Sequence, residues 1–217
     1  MEYKYRDESL LNYIEKLSAK TPCPGGGSAS ILSLALANAL ILMVCNFTME
    51  SKKVDETARQ ISNQIIQKAK DIQQHLIAGI EQDSNIYHRI QETAKRAKTN
   101  PANQKLHYDA LQEGIQLHIG MLDYCKIMLE WNSILVEKGN PYLISDVGVS
   151  ASLILSFIEA AKINIFINLC DVKNKGYVYE TIERVEKYSD ILLQQSHQTI
   201  LKVQEKILSN IKKMEEK

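Results

Sequence analysis

The sequence predicts an all-α fold, an elongated bundle of long helices with two central apolar helices. Apolar residues recur at spacings of three and four, and no alternating strand pattern of any length occurs. Two segments, 28–50 and 145–172, are apolar nearly all round, as helices at the centre of a bundle are. Glycine and proline are scarce, and they cluster at four breaks in the chain: residues 22–27, 99–101, 139–141 and around 176.

These breaks divide the chain into six predicted helices. We expect them over residues 7–18, 28–50, 54–98, 102–138, 145–172 and 177–217. The third would be roughly 65 Å long at about 1.5 Å per residue. The last carries an apolar seam from Ile182 to Ile211. Both helices are longer than one copy can cover, so we expect a homodimer.

Length and composition indicate a soluble protein with one domain over residues 1–217. The chain is 45% hydrophobic, which is enough for a large core. Basic and acidic residues balance at 26 each, so we expect neither nucleic acid nor a membrane surface as a partner. The four cysteines form no Cys-x-x-Cys pair, and the N-terminus "MEYKYRDESLL" has no apolar signal region. We therefore expect a cytoplasmic protein with free thiols.

Residues 28–49 are long and apolar enough to suggest a membrane span. However, the segment contains Ser30, Ser33, Asn38 and Asn46 and has no aromatic or basic anchor at its ends. We therefore interpret it as a buried core helix.

The stretch "TPCPGGGSAS", residues 21–30, interrupts an otherwise helical pattern. Pro22 and Pro24 fix an extended approach, and three glycines allow backbone angles closed to other residues. Ser28 is a plausible N-cap of the second helix. The stretch is either a tight turn between close helices or a run of backbone N–H groups for a carboxylate, phosphate or polarised carbonyl. It matches neither phosphate-loop signature.

Two ionisable residues interrupt apolar helix faces. Asp83 lies on the inward stripe of the third helix, three residues after Ile80 and four before Tyr87. Because carboxylates are rarely buried without a partner, Asp83 is either one half of a salt bridge or a site residue. His118 lies on the stripe of the fourth helix, and we interpret it as a core histidine. The five histidines form no metal-binding pair, so no metal is expected.

The stretch "GNPYLISDVGVSASL", residues 139–153, opens the fifth helix. Ser145 is a candidate N-cap, and Asp146 falls in the first turn, where the helix dipole favours a carboxylate. Asp146 is therefore either a dipole-stabilising residue or a carboxylate at the mouth of a cleft. Asn164 and Asn168, one turn apart on the same apolar helix, are either packing contacts or ligand contacts.

These motifs resemble the cyclodeaminase/cyclohydrolase family of folate enzymes. The resemblance rests on "TPCPGGGSAS" followed by "LALANALILMV", and on "GNPYLISDVGVSASLILSFIEAAKINIFINL", and it spans nearly the whole chain. It implies an all-helical dimer that binds tetrahydrofolate. It also implies Asp83 and Asp146 as catalytic residues. The substrate-binding residues that we expect are Pro24, Gly25, Gly26, Gly27, Ser28, Tyr87, Asn140, Ser145 and Asn164.

The implied activity interconverts 5-formimino- or 10-formyl-tetrahydrofolate and 5,10-methenyltetrahydrofolate, with no cofactor beyond the folate itself. No residue decides between cyclodeaminase and cyclohydrolase. Two features depart from the family pattern: Tyr142 replaces the usual asparagine, and no basic-Leu-Pro turn follows the Asp83–Tyr87 segment. They favour an alternative, an inactive folate-binding or scaffold protein of the same fold.

Overall fold

The computed structural model describes the backbone of residues 4–215 and the side chains of residues 4–213. It confirms the all-α prediction, since no strand occurs within residues 4–215. Short 3₁₀ turns, Pro101–Asn103 and Pro141–Leu143, lead into the fourth and fifth helices. The six helices are α1 (Leu10–Ser18), α2 (Gly26–Glu50), α3 (Glu56–Thr99), α4 (Gln104–Lys138), α5 (Ile144–Leu169) and α6 (Lys175–Glu215).

Helix starts differ from the predictions at two serines. Ser28 does not cap α2, because Gly25 is the N-cap and Ser28 lies in the first turn. The Ser28 hydroxyl instead hydrogen-bonds the Tyr13 hydroxyl at 2.9 Å. Ser145 does not cap α5 either, because the 3₁₀ turn Pro141–Leu143 runs directly into a helix that begins at Ile144.

Helices α2 and α5 lie side by side in opposite directions at the heart of the bundle. The Ser150 hydroxyl of α5 donates to the carbonyl of Ala37 in α2 at 3.0 Å. It also accepts a hydrogen bond from the Asn132 side chain of α4. Asn38 of α2 donates to the carbonyl of Ala69 in α3 at 2.8 Å. These buried polar contacts fix the register of four helices, because each satisfies a group that burial would otherwise penalise.

The two apolar helices are covered on their inner sides only. Helix α2 exposes Leu36 and Phe47, and α5 exposes Val149, Ile163 (68% exposed) and Ile167 (64% exposed). We call this surface the α2/α5 face. By contrast, much of the seam of α6 packs within its own chain, since Val185, Leu192 and Val203 are buried. Uncovered apolar surface therefore remains on the central helices, as it does on α1 and α6.

Two segments, Gly26–Glu50 and Pro141–Leu169, are long and apolar enough to cross a membrane by length and composition. Within their most apolar windows, 56% and 39% of the residues are buried inside the protein. Core helices of soluble proteins pass the same test, so these segments do not indicate a membrane protein.

Candidate active site

A cleft of about 350 Å³ opens where the N-terminus of α2 meets the middle of α3 and α4 and the end of α5. Its volume is typical of sites for small organic ligands, which span roughly 300–1,000 Å³. The walls combine apolar side chains with a few polar groups that converge on one space. The polar and glycine positions of the lining are Gly25, Gly26, Gly27, Asp83, Tyr87, Gln91, Gly114, His118, Asn164, Asn168 and Asp171.

The glycines at the start of α2 leave room for neighbouring atoms and do not adopt unusual backbone angles. No glycine among residues 4–215 has a positive φ, and Gly25 is extended at φ −130° and ψ −164°. A Cβ at position 27 would overlap the Asp83 carboxylate, whereas Gly25 and Gly26 have nothing within 4 Å of a Cβ. The glycines therefore do not use the backbone angles closed to other residues that they allow. Gly27 instead lets a carboxylate from α3 reach the end of α2.

The Asp83 carboxylate sits on the N-terminus of α2, where backbone N–H groups lack partners in their own helix. The N–H of Ser28 donates to it. The Asp83 side chain is 19% exposed, and burial raises the pKa of its carboxyl group from 3.8 to about 6, although the Ser28 hydrogen bond opposes the rise. Asp83 is therefore mostly ionised at neutral pH and can still accept and return a proton close to it.

His118 of α4 is the second ionisable group in the cleft and is 2% exposed. Its Nε2 lies 3.8 Å from Asp83 Oδ1. Burial lowers the pKa of His118 to about 4, so the ring is neutral at pH 7 and the contact is not an ion pair. The helical pattern indicated a core residue, and the structure shows that this buried side chain also lines the cleft.

Two asparagines of α5 form the wall opposite Asp83. The Asn164 side chain donates to the carbonyl of Ala160 at 2.8 Å, which leaves its oxygen available to the cleft. Asn168 reaches towards α4 because Gly114 is small: a Cβ at position 114 would lie 2.9 Å from Asn168 Nδ2. Asn168, like His118, belongs to the cleft although the expected site residues did not include it.

Most of the site residues expected at this end of the bundle converge. Gly25, Gly26, Gly27, Tyr87 and Asn164 line the cleft with Asp83. Two expected residues lie behind its surface. Pro24 is buried next to the lining residues, and Ser28 contributes its backbone N–H rather than its hydroxyl.

The remaining expected residues lie at the opposite end of the same chain. The Asn140 N–H donates to Thr48 Oγ1 at 2.9 Å, so Asn140 sits at the C-terminal end of α2. Since Gly27 and Thr48 are 21 residues apart on one helix, the two ends are roughly 30 Å apart. Ser145 and Asp146, in the first turn of α5, share the Asn140 end. One chain therefore does not bring Asp83 and Asp146 together.

Comparison with known proteins adds to this geometry. A family model described as formiminotransferase-cyclodeaminase matches residues 9–187. The methenyltetrahydrofolate cyclohydrolase of Methylorubrum extorquens is 24% identical over 184 residues, which are 83% of this chain and 88% of that protein. The formimidoyltransferase-cyclodeaminase of Dictyostelium discoideum is 29% identical over 209 residues, 94% of this chain but 37% of that protein.

Other relatives repeat the pattern. The formimidoyltransferase-cyclodeaminase of Gallus gallus is 25% identical over 81% of this chain, and the match spans 33% of that protein. The chain thus spans about a third of the length of these relatives. The crystal structure of a formiminotetrahydrofolate cyclodeaminase from Thermotoga maritima superimposes with a TM-score of 0.79, covering 91% of this chain and 98% of that one. At 22% identity this likeness shows a shared fold.

Proposed function

Because the chain belongs to the formiminotransferase-cyclodeaminase family, we propose that it interconverts 5-formimino- or 10-formyl-tetrahydrofolate and 5,10-methenyltetrahydrofolate. The observation that carries the proposal is the cleft at the N-terminus of α2, where the glycine stretch and the Asp83 carboxylate meet. Two kinds of relative support it, one named a methenyltetrahydrofolate cyclohydrolase and one named a formimidoyltransferase-cyclodeaminase.

The chemistry matches an ionised carboxylate whose pKa lies near neutrality. In cyclodeamination, N10 of the folate attacks the formimino carbon on N5, and ammonia leaves. In hydrolysis, water adds to the methenyl carbon, and the ring opens to the 10-formyl product. Both reactions pass through a tetrahedral carbon beside a delocalised cation. A carboxylate such as Asp83 stabilises that cation and transfers a proton. Neither reaction requires a cofactor beyond the folate.

The second carboxylate, Asp146, belongs to this site only if another subunit supplies it. The α2/α5 face has exposed apolar residues along α2 and near both ends of α5, with the exposed Ser152, Ser156 and Glu159 between them on α5. A two-fold axis through the middle of this face would lay α2 against α2 in opposite directions. Such a homodimer buries Leu36, Phe47 and Ile163. It also brings Asp146 of the partner subunit towards the Asp83 cleft, because the Asn140 end of one subunit then lies beside the glycine end of the other. The proposal is thus a homodimer with two shared sites.

A neighbouring groove supports an orientation for the substrate. It has a volume of about 840 Å³ and shares Gln91, Leu111 and Asp171 with the cleft. Lys98, Lys105 and Lys173 line it. Cationic side chains there favour the glutamate carboxylates of the folate, while the pterin ring enters the cleft between Tyr87 and the glycine stretch.

The test is an assay of the purified protein with both substrates, 5,10-methenyl- and 5-formimino-tetrahydrofolate. The near-ultraviolet band of the methenyl form is expected to decay in the first reaction or to grow in the second. A band that shifts without decaying would support the alternative of a folate-binding protein without turnover. A band that neither shifts nor changes intensity would contradict both functions. We also propose a cytoplasmic location, in keeping with the free thiols of the four cysteines.

A further inference from the structure

The histidine in the cleft is buried without satisfying its polar atoms. His118 is 2% exposed, and neither Nδ1 nor Nε2 has a hydrogen-bond partner among the described residues. Buried polar atoms in folded proteins are nearly always paired, and each exception calls for an explanation. The neighbours of His118 on its helix face, Leu111, Ile115 and Leu122, are fully buried apolar residues. An apolar side chain would therefore suit the position if packing were its purpose.

The geometry fits a substrate that supplies the hydrogen-bond partner of His118 when it binds. We propose that His118 is a catalytic residue, which transfers the proton of the reaction between Asp83 and the departing nitrogen of the folate. This inference rests on the proposed function and adds a second proton-transfer group to the same site. Nε2 lies 3.8 Å from Asp83 Oδ1, which is slightly longer than a hydrogen bond. Catalytic hydrogen bonds are often long in unliganded sites and shorten when substrate binds.

The protons balance in hydrolysis. The water oxygen bonds to the methenyl carbon and gives one proton to the Asp83 carboxylate. The bond from that carbon to N5 then breaks, and its electron pair remains on N5. N5 takes a proton from one nitrogen of His118, while the other nitrogen of the ring takes the proton from Asp83. The second proton of the water leaves to solvent as the formyl carbonyl forms.

The same two groups serve cyclodeamination. The formimino group reacts as its cation, with two protons already on its terminal nitrogen. N10 bonds to the formimino carbon and gives its own proton to Asp83. His118 donates a proton to the amine as the carbon–nitrogen bond breaks, and ammonia departs with the electron pair of that bond. The imidazole of His118 then takes the proton held by Asp83 and returns to its starting state. A neutral imidazole is required in both directions, because it must accept at one nitrogen while it donates from the other.

The test compares two variants with the wild type. His118→Gln keeps a polar side chain but has no titrating ring, and His118→Leu matches the apolar neighbours. In both, we expect kcat to fall by about 100-fold or more, while KM changes by less than about threefold. We also expect His118→Leu to melt at or above the wild-type temperature, because it removes two unpaired polar atoms. His75→Gln on the exposed surface of α3 is the control and should retain wild-type kcat.

The outcomes separate this inference from the proposed function. A kcat within about threefold of wild type in either folded variant would overturn the role of His118 and leave the function intact. An increase in KM alone would also overturn it, since it would make His118 a binding contact. If His118→Leu fails to fold, the result with His118→Gln decides. A folded wild type that acts on neither substrate would overturn the proposed function and this inference with it.

Discussion

At the scale of single residues, the chemistry of the cleft depends on the Asp83 carboxylate, whose ionised form is subject to two opposing effects. Burial penalises the ionised form of Asp83, whereas the N-terminus of α2 stabilises it through the Ser28 N–H. The pKa near 6 results from this balance. An ionised carboxylate at this position stabilises the folded protein less than a neutral side chain would, but it can act as a base. The effects on stability and on turnover can be measured separately.

Asp83→Asn should abolish most turnover and stabilise the protein. The amide oxygen can still accept the Ser28 N–H, but it cannot take a proton, so we expect kcat to fall by roughly 10²–10⁴-fold. At pH 7.5 the melting temperature should rise, because a desolvated charge has been removed. Asp71→Asn, on an exposed part of the same helix, is the control for both measurements. Unchanged turnover in Asp83→Asn would remove Asp83 from the site.

The stabilising effect of Asp83→Asn should depend on pH. Because the pKa of Asp83 is raised when the protein folds, its contribution to stability is fully present below about pH 4 and is lost as pH rises through about 6. The difference in melting temperature between Asp83→Asn and wild type should therefore be largest above pH 6 and vanish near pH 4. Comparing the variant with wild type at each pH cancels the opposite contribution of His118, whose pKa is lowered. A difference that grows on acidification would contradict the assignment.

The pH dependence of turnover should follow the ionisation of Asp83. If ionised Asp83 is the base, the wild-type rate should fall as pH decreases through about 6, in step with protonation of the carboxylate. Measurement of kcat/KM from pH 5 to pH 8 gives the pKa of the free enzyme. A rate that increases on acidification through this range would show that the protonated form is the active one.

Gly27→Ala tests the contact between α2 and Asp83 directly. A methyl group at position 27 would overlap the carboxylate, so we expect Asp83 to be displaced, turnover to fall at least tenfold and the melting temperature to decrease. Gly120→Ala is the matched control, because a Cβ there meets nothing within 4 Å. In the exposed middle of α4 it should stabilise the fold by roughly 0.5–1 kcal/mol. Full activity in Gly27→Ala would contradict the close packing.

Sequence reasoning placed Asp83 among the candidate site residues and His118 in the core, for one physical reason. Both residues interrupt an apolar stripe, but a carboxylate on an inward face carries a large burial penalty and stands out. A histidine is commonly accommodated in a core, so its position alone indicates nothing unusual. Only the structure shows that both of its ring nitrogens lack hydrogen-bond partners among the described residues.

At the scale of helices, the ends were harder to predict than the helices themselves. Ser28 and Ser145 are good capping residues, yet each lies inside the first turn of its helix. At α2 the chain enters the helix at Gly25, and the orphan N–H of Ser28 is satisfied by Asp83 from α3. At α5 the 3₁₀ turn Pro141–Leu143 replaces a cap. Tertiary contacts and turn geometry determined these ends, and neither is visible in local sequence.

The α2/α5 face gives a prediction at the same scale. Ile163→Lys places a charge in the proposed interface twice per dimer, once in each subunit. We expect the dissociation constant of the dimer to rise by about 100-fold or more, and turnover to become dependent on protein concentration. Sedimentation velocity measures the first effect. Leu208→Lys on α6, also an exposed apolar residue, is the control and should remain dimeric. A dimer that tolerates Ile163→Lys would place the interface elsewhere.

At the scale of the whole molecule, the proposed function depends on how the two ends of the bundle meet. Helical periodicity predicted the all-α fold and the apolar helices, and the resemblance supplied the candidate site residues. Neither indicated that Asn140, Ser145 and Asp146 lie roughly 30 Å from Asp83 in one chain, because spacing within a helix carries no information about which ends face each other. The proposed homodimer would bring both motifs into one site.

The most direct test of that claim mixes two inactive variants. Asp83→Asn and Asp146→Asn homodimers should each be nearly inactive alone. In a mixed dimer with one chain of each kind, one site keeps both carboxylates and the other keeps neither. After dissociation and reassociation of an equal mixture, turnover should therefore return to about a quarter of the wild-type rate per site. No recovery in verified mixed dimers, or full activity of Asp146→Asn by itself, would contradict a site shared between two subunits.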